Sequence, residues 1–281
     1  MSYCINNKKF YKYLAIPYFI ILICFVLIPV FIVFFDSIQE YNPNHIFNFS
    51  FTIKKYYNFY TTKSYIYILF RSIAITIISN FFLIIIAYPL AYTVYKLDLM
   101  TQSILVLLIN GTMWVNMILK IQALLQIFSL IERNLNINLL ETNLAMFIGF
   151  IYIFLPYIFL PIFLSISKID PFLIDSAKDL GANNKQIFKK IIFPLSIPGF
   201  TTGVVLISLQ IATNLAIPKY LGPTNTTVIS ELIENQTFLS GDIKSACAIA
   251  VNLSFFLFCI LTFYKKKQSI KVYNSYVQNK Y

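Results

Sequence analysis

The sequence predicts an all-α integral membrane protein with six transmembrane helices. Composition, the spacing of apolar runs and the placement of basic residues carry that reading. Of 281 residues, 58% are hydrophobic and 12% charged, against about 45–50% and about 25% in a soluble domain. Crossing the hydrocarbon of a bilayer takes about 20 apolar residues. Six segments meet or approach that length: 14–35, 72–95, 103–119, 143–166, 197–217 and 245–263.

The first segment follows Lys8, Lys9 and Lys12, as the apolar core of a signal peptide does. It is longer than the roughly 7–15 residues of such a core, and no small-residue cleavage site follows, so it reads as an uncleaved span. The third is diluted by Asn110, Gly111, Asn116 and Lys120. Between spans, residues 36–71 form a long segment rich in Asn, Tyr and Lys, and 218–244 contain the turn cluster "GPTNTT". With the N-terminus inside, 14 of the 22 basic residues fall in cytoplasmic segments and eight outside. The acidic residues lean the other way, with four inside and seven outside. Positive-inside then places both ends in the cytoplasm. The predicted organisation is a cytoplasmic tail at 1–13, one membrane domain at 14–264 and a basic cytoplasmic tail at 265–281.

Several function classes fall away. The net charge of +11 sits in short loops beside apolar spans, which is membrane orientation and not a nucleic-acid surface. Cys4, Cys24, Cys247 and Cys259 form no CxxC pair, and His45 is the single histidine, so neither a disulfide framework nor a paired-histidine zinc site is expected. No Gly-Lys dipeptide occurs, which removes a phosphate loop of the GxxxxGK[ST] form. No catalytic residues and no metal ligands are assigned. The six spans contain no Asp or Glu, the usual mark of a proton- or sodium-coupled transporter, and Lys120 is expected to snorkel from an outer end. Asn80, Asn110, Asn116, Gln122 and Asn214 stand out as polar residues of the spans, with Trp114 beside two of them. They line a translocation path or hydrogen-bond between helices.

The most informative stretch is the polar loop at 169–199, "IDPFLIDSAKDLGANNKQIFKKIIFPLSIPG". Asp170 can cap a helix that Pro171 begins. Gly181 suits the left-handed cap that ends it. Asn183 with Gln186 has capping-box spacing for a second helix. Ile187, Phe188 and Ile191 share one face there as an apolar ridge, and Pro194 is expected to stop the helix before the fifth span.

This loop resembles the EAA loop of ABC importer permeases. Asp175, Ser176 and Ala177 stand at the EAA positions, Gly181 follows after three residues, and Ile191, Phe193 and Pro194 close the pattern. Asp replaces Glu, Ser the first Ala, and Phe the Leu. "RSIAITIISNFFLIIIAYPLAY", "WVNMILKIQALLQIFSLIERNLNIN" and "VISELIENQTFLSGDIKSACAIA" resemble the spermidine/putrescine branch, its B-type subunit in particular.

The resemblance implies a type I ABC importer permease fold in a bacterial inner membrane, with a cytoplasmic EAA coupling loop. It implies that Asp175, Ser176, Ala177, Gly181, Ile187, Phe188, Ile191 and Pro194 form the joint to a cytoplasmic ABC ATPase dimer. ATP and Mg would bind that partner, with no cofactor on this chain. A second permease subunit, an extracytoplasmic solute-binding protein and membrane lipid complete the expected partners. Polyamines are the implied solute, and thiamine, iron, phosphonate and sugar importers have similar permeases. An ion-coupled secondary transporter is the rival class.

Overall fold

In the computed structural model, which describes residues 16–40, 51–224 and 226–278, apolar runs have become helices, as a chain in lipid must satisfy its backbone polar groups internally. The expected tail at 1–13, Cys4 and His45 lie outside the described residues. Eleven helices follow in order. They are α1 (Ile16–Ser37), α2 (Lys54–Thr61), α3 (Lys63–Tyr95), α4 (Leu99–Gly111), α5 (Met117–Leu135), α6 (Asn143–Ser167), α7 (Pro171–Asp179), α8 (Asn184–Ala212), α9 (Ala216–Leu221), α10 (Ile229–Phe238) and α11 (Ile243–Gln278).

Five of these are long and apolar enough to cross a membrane: α1, α3, α6, α8 and the Ile243–Ile260 part of α11. A sixth crossing arises if α4 and α5 count as one broken span, for the two meet at a bend of 100°. The expected continuous helix at 103–119 is therefore corrected. A 3-10 turn, Thr112–Trp114, closes α4, and the Asn116 side chain accepts a hydrogen bond from Ile118 N at 2.9 Å to cap α5. Asparagine competes for backbone donors and so favours a cap over a helix interior. The fifth expected span, 197–217, is likewise split, because α8 ends at Ala212 and α9 begins at Ala216.

The chain divides into two compact units, one from Met1–Ile66 with Leu232–Tyr281, the other Tyr67–Glu231. In the first, α11 packs along α1 and α2. Tyr60 donates to Asn252 Oδ1 at 2.8 Å, and Lys55 lies 3.7 Å from Asp242. Burial holds the Lys55 ammonium below its ordinary pKa, with Asp242 opposing that shift. The most apolar stretch of α1 buries none of its residues within the chain, as suits a helix whose partner is lipid.

The second unit is built on α6 and α8, which run antiparallel. Ile158, Phe159 and Ile162 of α6 and Ile207 of α8 have no exposed surface. The close approach has a plain cause in "GFTTG", residues 199–203. A Cβ at Gly199 would stand 2.3 Å from the Pro161 carbonyl oxygen, and one at Gly203 would meet Ile158 Cγ1 at 3.2 Å. Small residues four apart let helix backbones touch where no hydrophobic force separates helix from lipid. Leu83, Ala87 and Ala91 of α3 complete the core.

Candidate functional site

The polar loop folds as its residues dictate. Asp170 Oδ1 accepts from Phe172 N at 3.0 Å and starts α7, with Pro171 in its first turn. At the other end Gly181 has φ +82°. Its N–H donates to Lys178 O at 2.8 Å, and Ala182 N donates to Ala177 O at 2.9 Å. This pair of bonds is a Schellman cap, which requires a left-handed residue at its centre. Asn183 and Gln186 then exchange bonds of 2.9 Å each and cap α8.

Pro194 does not stop the helix. A π-turn at Phe188–Ile192 precedes it, and Phe193 N donates to Phe188 O across five residues. One extra residue in the turn relieves the clash that Pro194 would make with a regular α-helix. The loop helix and the fifth span are thus a single 29-residue helix, Asn184–Ala212.

That continuity also decides where the ridge points. Ile187 is buried at 3% exposure, and Phe188 and Ile191 pack against the core. Phe188 sits edge-on to Tyr92 at 5.0 Å and to Tyr88 at 5.8 Å between ring centres. The expectation of a ridge offered outward is corrected: α8 carries this face onto the nearest apolar surface, which is the chain's own α3. The exposed large apolar side chains around α7 are Phe172, Leu173 and Leu180, at 79%, 51% and 88%. Sequence reasoning missed them, although three large apolar residues around a short polar helix with no second face to bury them are the available signal.

The remaining loop positions are polar or open. Asp175 pairs with Lys178 at 2.8 Å on the surface, an arrangement that contributes little, though it holds the Lys178 ammonium above its ordinary pKa. Ser176 presents its carbonyl to Leu180 N at 3.1 Å. Ala177 packs against the core, and Pro194 is exposed.

The asparagines fall in different places. Trp114, 85% exposed, and Asn116 sit at the α4–α5 bend, and Met117 beside them lies 3.8 Å from Asn214 Nδ2. The Asn214 side chain also accepts from Ile217 N, in the first turn of α9, at 2.9 Å. Asn80 stands apart, donating to Thr76 O at 2.8 Å and to Ser208 Oγ at 3.2 Å. Asn110 donates to Val106 O at 2.7 Å. The side-chain oxygens of Asn80 and Asn110 are buried without a partner among the described residues. Lys120 is 5% exposed and does not reach solvent.

The hairpin of α6 and α8, tipped by a capped polar turn, belongs to a fold that is shared with chains of solved bacterial ABC transporters. The chain aligns with a chain in the crystal structure of a bacterial alginate ABC transporter in complex with alginate pentasaccharide-bound periplasmic protein. The TM-score is 0.72 at 13% identity, covering 92% of this chain and 94% of the other. By sequence it is similar to the spermidine/putrescine transport system permease protein PotB of Haemophilus influenzae, 27% identical over 95% of this chain and 96% of that protein. The PotB of Escherichia coli K12 is 26% identical over 86% and 92%. No protein-family model matches the sequence.

Proposed function

We propose that the chain is a permease subunit of an ABC importer for polyamines, spermidine or putrescine. The observation that carries the reading is the end-to-end similarity to PotB, 95% of one chain against 96% of the other, joined to the importer-permease fold. Both termini lie in the cytoplasm, on the strength of the basic residues. The α7–α8 turn, from Asp175 to Pro194, is then the coupling joint. Its docking face is Phe172, Leu173 and Leu180, an apolar patch suited to a groove on a partner. An ATPase dimer carries ATP and Mg. A second permease subunit and an extracytoplasmic solute-binding protein complete the importer. The bend at Trp114 and Asn116, with Asn214 behind it, together with Asn80 and Asn110, supplies polar groups to the solute's path.

Deleting the gene and following labelled spermidine and putrescine tests this. Uptake is expected to fall to background and to return with a plasmid copy. Unchanged polyamine uptake with loss of thiamine, iron, phosphonate or sugar uptake would reassign the solute and leave the subunit's class standing. Transport by the purified chain alone, without an ATPase, would overturn the class.

A further inference from the structure

Where α3 leaves the apolar part of the bundle, a groove of about 550 Å³ opens between it and the start of α8. Its floor is aromatic and apolar: Tyr88, Pro89, Tyr92 and Phe188. Its rim is basic, formed by Lys96, Lys185 and Lys189. The Lys96 ammonium lies 4.4 Å from the centre of the Tyr92 ring. Every Asp and Glu of the chain is among the described residues, and none pairs with these three lysines. The nearby carboxylates are committed elsewhere. Asp175 is held by Lys178, and Asp98 accepts from Thr101 N at 3.0 Å to cap α4.

Above the groove, α3 presents an exposed apolar row. Phe82, 45% exposed, is followed one turn on by Ile85 and Ile86, 51% and 40% exposed, and a further turn leads to Pro89. An apolar row that runs into an apolar floor and ends at three unpaired ammonium groups has two chemical halves. The row suits a hydrocarbon chain. The rim suits an anion, and a basic pocket at the end of membrane helices is a recognised form of anionic headgroup site.

We propose that this groove seats one acidic phospholipid, its phosphate between Lys96, Lys185 and Lys189 and an acyl chain along Phe82, Ile85 and Ile86. The inference needs only that the chain lies in a membrane, and it stands or falls separately from the solute. Because Phe188, Lys185 and Lys189 lie on the first turns of α8 and Lys96 stands at the end of α3, an occupied groove ties the tip of that helix to α3.

The full-length chain in mild detergent, titrated with phosphatidylglycerol or phosphatidylcholine of matched acyl chains and read by native mass spectrometry, tests the site. One phosphatidylglycerol is expected to bind more tightly than phosphatidylcholine, undisturbed by millimolar inorganic phosphate. Each surface lysine contributes about fivefold, so the Lys185→Gln/Lys189→Gln chain is expected to lose roughly thirtyfold in phosphatidylglycerol affinity. Lys168→Gln, a surface charge elsewhere, is expected to lose little. Equal binding of both lipids, or unchanged affinity in the double variant, overturns the proposal. Competition by inorganic phosphate would reduce the site to an anion site and overturn the lipid. Loss of co-purifying subunits from the double variant at unchanged lipid binding would make the groove a protein contact and also overturn it.

Discussion

At the scale of single residues, Gly181 isolates backbone strain from packing. Its φ is +82° and a Cβ there would meet nothing within 4 Å, so a substitution costs only conformation. Gly181→Val is expected to strain the turn by roughly 1–2 kcal/mol. Gly181→Asn should cost less, since asparagine enters the left-handed region more readily. Both chains should reach the membrane at normal levels. In liposomes with the partner ATPase, stimulation of ATP hydrolysis by substrate is expected to be lost in the valine chain and partly kept in the asparagine chain. Phe188 and Leu180 make a second pair. Phe188 packs on Tyr88 and Tyr92, so Phe188→Asp is expected to cost the chain about 3–5 kcal/mol and to lower its melting temperature and expression. Leu180, 88% exposed, has nothing of its own to lose. Leu180→Asp is expected to keep the parent's melting temperature and to release the ATPase subunit on purification. The opposite pattern would restore an outward ridge. Gly181, Asp170 and the Asn183–Gln186 box were legible in the sequence because each acts within one turn of itself. The side that Ile187 and Phe188 face was not, since it depends on α3, nearly a hundred residues away in the chain.

At the scale of helices, spans were legible wherever apolar residues ran unbroken and misplaced wherever polar residues entered them. The run at 103–119 looked like one crossing because length and hydropathy say nothing about direction. The signal of the bend was Asn116, a cap residue in the midst of an apolar run. "GFTTG" carries a signal of its own, two glycines four apart at the start of an apolar run. It supports a direct test. Gly199→Leu must displace the α6 backbone at Pro161 and the Ser165 side chain, and overpacking of this kind typically costs about 1–3 kcal/mol. Thermal denaturation should show a lower midpoint for Gly199→Leu and a smaller loss for Gly203→Ala, whose Cβ would meet Ile158 at 3.2 Å. An unchanged midpoint for both would mean that the hairpin tolerates a wider spacing than the structure gives it.

For the whole molecule, orientation rests on charge. In a background without native cysteines, Thr61→Cys and Asn136→Cys are expected to react with a membrane-impermeant thiol reagent applied to intact cells. Leu180→Cys is expected to react only after the cells are opened. Labelling in the reverse order would turn the protein over and place the α7–α8 turn outside, where no ATPase could reach it. Composition made the membrane class legible at once, because no water-soluble core holds so few charges. The number of crossings was less so, since α4 and α5 together make one broken crossing or none by geometry alone.

The unbroken path of α8 has a mechanical meaning. At about 1.5 Å per residue, its 29 residues make a rod of roughly 40 Å, with the capped turn at one end and the Asn214 elbow just past the other. On the proposed coupling role, a push on the turn travels along that rod from the loop, its handle, into the span, its shaft. The five-residue π-turn at Phe188–Ile192 is the break in α-helical winding between the two, ahead of Pro198. Deleting Lys190 would close the turn to ordinary α-helical winding and set Pro194 against a rigid helix. The handle would still grip its partner, but the stroke would pass through an altered winding. ATP consumed per solute moved is the quantity expected to change, while ATPase binding stays at the parent's level.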